Sequence, residues 1–161
     1  MASDLLIQTC DAIRDAILAA SWDLDFACDR GYLDVDEPLE ELDRLRVDVV
    51  VPESWDEHEL DTQADESYTV TIEVAIRKRF GLEEQNNAAG GIRRDALDEL
   101  ATFACSLARF FTADRFTAFS TENVAWQETT LAQLYSREQL VQSRQFTAII
   151  ELTFEINTPR A

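Results

Sequence analysis

The chain has 161 residues, 46% of them hydrophobic, and a formal net charge of −18. That length predicts one domain, residues 1–161, able to bury roughly 70% of its unfolded surface without staples. The charge argues against tight nucleic-acid binding, because an acidic surface repels phosphate.

The acidity is uneven: the segment from Asp34 to Glu66 holds fourteen acids against Arg44 and Arg46. It reads either as a solvated surface or as one that faces DNA without gripping it or docks on a basic partner. Cys10, Cys28 and Cys105 form an odd set without CxxC spacing, which predicts free thiols in a reducing setting. The N-terminus lacks the basic-then-apolar order of a signal peptide, and no run approaches ~20 apolar residues. The expectation is a protein that neither spans a membrane nor is secreted by that route.

In chain order, the first helix is expected from about Asp4 to Ala20, with Ser3 as its N-cap and Leu6, Cys10, Ile13 and Ile17 on one apolar face. From Trp22 the period changes, and Trp22, Leu24 and Phe26 predict a strand running toward Tyr32. Asp34–Arg44 reads as a turn or short helix. Leu45–Val51 is a second strand, stopped by Pro52. Glu53–Glu66 reads as an acidic loop with a helical turn around Trp55–Leu60.

The third strand, Ser67–Phe80, alternates cleanly: Tyr68, Val70, Ile72, Val74 and Ile76 against Thr69, Thr71, Glu73 and Arg77. Such period-two alternation marks a sheet with one buried face. Gly81–Gly91 is a connection with several positive-φ candidates. The second helix is expected over Arg93–Thr112, burying Leu97, Leu100, Ala104, Leu107 and Phe111. A strand follows at Val124–Thr129 within the stretch from Phe116 to Tyr135, then a polar connection, Ser136–Arg144, with room for a helical turn. The last strand, Gln145–Asn157, repeats the alternation with Phe146, Ala148, Ile150, Leu152, Phe154 and Ile156. The fold class this predicts is α+β: a mostly antiparallel sheet with two amphipathic helices packed on one face.

Chemical candidates are sparse. His58, the only histidine, lacks the further ligands that a metal site needs at regular spacing. Cys10 and Cys105 fall on apolar helix faces, where a thiol acts as a small hydrophobe. Asn86–Gly91 precedes a helix but has neither the Lys-Ser/Thr of a P-loop nor a dinucleotide fingerprint. No catalytic residue, cofactor or metal is expected. The basic cluster Arg77, Lys78 and Arg79, with Arg93 and Arg94 beyond the connection, either neutralises local acids or meets the acidic face of a neighbouring subunit.

The leading helix is followed by Phe26-Ala27-Cys28-Asp29-Arg30-Gly31-Tyr32, then Leu39-Glu40-Glu41-Leu42 and Val47-Asp48-Val49-Val50-Val51-Pro52. Next come Tyr68 to Arg79, then Leu134-Tyr135-Ser136-Arg137-Glu138-Gln139-Leu140 leading into Gln145 to Phe154. Together these segments, most of the chain from Leu5 to Ile156, resemble small neck and tail-completion proteins of tailed bacteriophages, tail-terminator-like proteins in particular. The resemblance implies an α+β fold and a structural, non-enzymatic role without a cofactor. It implies a homo-oligomeric ring, commonly a hexamer, that caps the tail tube and joins it to the head. The implied partners are further copies of the chain, the tail tube protein and the head–neck connector proteins. DNA passes without being specifically bound, and the location is the virion tail or neck, with host cytoplasm during assembly.

No interface residue carries over from the family. The sequence itself nominates Arg77, Lys78, Arg79, Arg93 and Arg94 for a subunit interface, and Glu53, Trp55, Asp56, Glu57, Glu59 and Asp61 for a lumen or docking loop. A head-closure or connector protein of the neck, or an acidic adaptor binding a basic partner, are the alternatives.

Overall fold

Two 15-residue strands dominate the fold: β4 (Asp65–Arg79) and β6 (Gln145–Pro159), paired antiparallel along their whole length. The structure is a computed structural model that describes residues 2–32, 44–58, 65–81, 93–112 and 123–159. The element order is α1 (Ala2–Ala19), β1 (Ala27–Gly31), β2 (Arg46–Val50), β3 (Asp56–His58), β4, α2 (Arg94–Phe110), β5 (Val124–Gln133), α3 (Arg137–Gln142) and β6. The sheet runs β1-β2-β4-β6-β5, and β3 pairs with β4 beyond the end of β2. The class is α+β as the patterning predicts, with one departure: β1 pairs with β2 in parallel, so the sheet is mixed.

The register explains why the alternation was so clean. Val70, Ile72, Val74 and Ile76 sit opposite Phe154, Leu152, Ile150 and Ala148, and every one is buried. Val47 and Val49 extend that face through β2. Leu6, Cys10, Ile13 and Ile17 of α1 and Leu100, Phe103, Ala104 and Leu107 of α2 close over it in one hydrophobic cluster. Both long helices therefore pack on the same sheet face, as their apolar stripes require.

Local readings changed where tertiary contacts outweighed pattern. Trp22, Leu24 and Phe26 do not form a strand; β1 begins at Ala27. The Trp22 indole instead donates to the Ile17 carbonyl at the end of α1 (2.8 Å) and packs edge-on against Phe103 and Phe110 of α2. The helical turn expected at Trp55–Leu60 is replaced by β3, paired with Ser67–Thr69 of β4. Helix α1 starts at Ala2, so Ser3 lies within its first turn and does not cap it. β5 runs four residues past its expected end at Thr129 and carries irregularities at Trp126/Glu128 and Leu131/Gln133. The turn expected in Ser136–Arg144 is α3, capped by the Ser136 hydroxyl, which accepts from the Gln139 amide. The Asp34–Arg44 element up to residue 43, most of the Gly81–Gly91 connection, and Phe116 up to residue 122 lie outside the described residues.

Candidate functional site

The face of the sheet turned away from α1 and α2 carries the charged members of each alternation. Its rows follow from register. Arg46 lies opposite Arg77, which lies opposite Thr147. The next rows are Asp48–Ala75–Ile149, Val50–Glu73–Glu151, Thr71–Thr153 and Thr69–Glu155.

Two opposed arginines repel unless something lies between them. Asp48, two residues along the same face from Arg46, does this. One carboxylate oxygen accepts from Arg46 Nη2 at 3.0 Å and the other from Arg77 Nη2 at 3.0 Å. The three side chains are only 12%, 4% and 9% exposed in the order Arg46, Asp48, Arg77. Taking charges out of water is tolerated only with such pairing.

Two rows further along, Glu73 and Glu151 are direct cross-strand neighbours of like charge. Burial, and then the facing Glu151 carboxylate, push the Glu73 carboxyl above its ordinary range. Glu155, by contrast, is fully used: Ser67 Oγ donates to one oxygen (3.0 Å) and Gln127 Nε2 to the other (2.8 Å). The Thr71 and Thr153 hydroxyls meet at 3.4 Å. Carboxylates and hydroxyls thus predominate in these rows beyond the buried Arg46–Asp48–Arg77 group.

The basic cluster nominated from sequence is divided by the strand's period. Arg77 points to the face just described and is buried on Asp48, so it is withdrawn from any subunit surface. Arg79 shares its parity and is half-buried. Lys78 points to the helix side and meets Arg93, at the start of α2, in a cleft of about 460 Å³ that Arg44 also lines. Arg93 makes an exposed pair with Asp95 (3.5 Å), and Arg94 is exposed on the first turn of α2.

Of the acidic candidates, Glu53 and Trp55 are exposed, Trp55 at 41%, with its ring edge-on to Tyr68 at 5.8 Å. Asp56 and Glu57 belong to β3, while Glu59 and Asp61 lie outside the described residues. Arg46 and Asp48 were not nominated from sequence. The available signal was a lone acid inside the apolar run Val47–Val51, which is out of place in a strand unless a cation meets it.

Burial pushes the Cys10 and Cys28 thiols up to about 12. They remain thiols at neutral pH, without the thiolate that nucleophilic chemistry uses. Among the described residues, no three His, Cys, Asp or Glu side chains converge to hold a metal ion, and no helix is long and apolar enough to cross a membrane. No family model matches the chain, and no curated protein matches it either.

Proposed function

We propose that this protein is a structural virion component of a tailed phage or prophage: a tail-terminator-like protein that forms a ring, a hexamer in this reading, on the end of the tail tube and joins it to the head. The observation that carries the reading is the order of elements along the segments bearing the resemblance. A leading helix, three short strands, a long strand, a second helix and two further strands with a short helix between them build one mixed sheet with both long helices on one side. The other side of the sheet is left polar and acidic, which suits contact and not catalysis. The net charge of −18 supports a lumen through which DNA slides without adhering. The role is non-enzymatic, and the partners are other copies of the chain, the tail tube protein and the neck connector. A head-closure position in the same neck is the nearest alternative. The charge by itself also favours an acidic adaptor that binds a basic protein.

Mass by light scattering across a concentration series, with negative-stain images of the same samples and of the protein mixed with purified tail tubes, tests the reading. Rings of about six copies, free or on tube ends, are expected. A monomer that ignores tube ends and binds a basic protein tightly would replace the ring by the adaptor.

A further inference from the structure

A groove of about 430 Å³ runs along α2 beside the loop that links α1 to β1. Its aromatic wall is held in place. Trp22 packs edge-on against Phe103 and Phe110 of α2 and against Phe26, and its indole N–H donates to the Ile17 carbonyl. Trp22 and Leu24 are still only half-buried, so both leave apolar surface open to the groove.

The rim is acidic: Asp23 on the loop faces Asp95, Asp98 and Glu99 on α2, and among the described residues that line the groove none is Lys or Arg. Arg93, just outside, pairs with Asp95 at 3.5 Å, and Arg44 of the adjoining cleft pairs with Asp25 at 3.6 Å. That leaves Asp23, Asp98 and Glu99. Among the described residues no cation lies within ion-pair distance of any of the three. Even with Lys78 and Arg109 of the flanking hollows counted, acids remain in excess. Asp11, Asp48 and Glu155, by contrast, each have a partner on this chain.

Unpaired carboxylates beside an aromatic ring and an apolar floor suit a cation carried on an aliphatic stem. The stem of a Lys or Arg buries along Leu24 and Phe103, while its head meets the carboxylates and the Trp22 ring. Thr102 and Ser106, small and exposed on α2, leave room for it. A second copy of the chain is disfavoured as the occupant, because it brings a further charge of −18 to an acidic rim. We infer that this groove docks a segment of another protein that presents Lys or Arg among apolar residues. The inference goes beyond the ring reading and does not depend on it.

Calorimetric titration of the full chain with a peptide of alternating lysine and leucine tests it, with the glutamate–leucine peptide as control. The lysine peptide is expected to bind, more weakly as salt rises, and the glutamate peptide is not. Three variants separate the groove from bulk charge. Asp98→Lys/Glu99→Lys is expected to weaken binding about tenfold or more, since like charges then face each other. Thr102→Phe fills the groove without changing net charge and is expected to weaken binding to a similar degree. Glu128→Lys/Glu138→Lys alters net charge as much as the first variant, but at residues that do not line the groove. It is expected to keep the affinity within about twofold, the effect of screened distant charges. All five positions are exposed, and unchanged circular dichroism verifies folding. Equal losses in the two lysine variants, or full binding by Thr102→Phe, would overturn the inference by showing the attraction to be unspecific. Failure of the parent chain to bind the lysine peptide would overturn it as well.

Discussion

The Asp48 carboxylate sits where two guanidinium groups would otherwise confront each other across β2 and β4. Removing one member of a buried charge group leaves the others desolvated without compensation, at a cost of about 3–5 kcal/mol. Asp48→Ala should therefore lower unfolding free energy in urea by that amount. A loss under about 1 kcal/mol would mean that Asp48 does not hold the arginines in place.

Glu73 behaves in the opposite sense. Its folded carboxyl is held above the unfolded value by burial and by Glu151, so in that window the native state binds more protons than the unfolded one. Stability is thus lost as pH rises from the ordinary carboxyl range through the raised folded value, and regained on acidification. Glu73→Gln should flatten this slope and stabilise the neutral-pH protein by roughly 0.2–1 kcal/mol, the range for relieving a like-charged cross-strand pair. Paired urea titrations at pH 5 and 7 read the difference, and an unchanged slope would remove Glu73 as its source. The sequence showed that residues 73, 77 and 151 are charged and share a parity, but which charge faces which depends on strand register, which spans some seventy residues of chain.

At the scale of elements, β5 is tied to the end of α2 by one hydroxyl. Thr129 Oγ1 donates to the Phe111 carbonyl (2.7 Å) and accepts from the Trp126 indole N–H (2.9 Å). Thr129→Val keeps the side-chain shape and deletes both hydrogen bonds. It should cost about 1–3 kcal/mol and shift tryptophan emission; an unchanged urea midpoint would show the tie to be idle. The helices and the two long strands were legible because their periods, 3.6 and 2, continue over four or more turns or pleats. Trp22–Phe26 misled because aromatic alternation over five residues fits a strand as well as a loop, and the loop gains the α2 aromatics and a hydrogen bond to the Ile17 carbonyl. β3 was illegible because three acid-rich residues have no strand pattern of their own and pair only because β4 extends past β2.

At the scale of the molecule, charge and contact compete. At 0.01 M salt the Debye length of ~30 Å reaches across a protomer, so neighbouring copies at −18 repel as wholes. At 0.15 M it is ~8 Å, and mainly local pairs survive. Exposed ion pairs between copies are worth only about 0–1 kcal/mol each and are themselves weakened by salt. Assembly is therefore expected to strengthen from low to physiological ionic strength, and further with divalent cations. Light scattering on a salt series measures it, and rings that dissociate as salt rises would show that local ion pairs outweigh global repulsion.

The amino-acid sequence by itself determined the α+β class, both long helices with their buried stripes, and the two long strands, because hydrophobic periodicity is a local property that burial preserves. Only the tertiary structure decided the strand order β1-β2-β4-β6-β5, the parallel β1–β2 pair, and the division of the basic cluster between a buried network and an open cleft. The physical reason is the same in each case. A strand's alternation states which residues share a face, while the partner that a face meets is set by pairing between segments far apart in the chain.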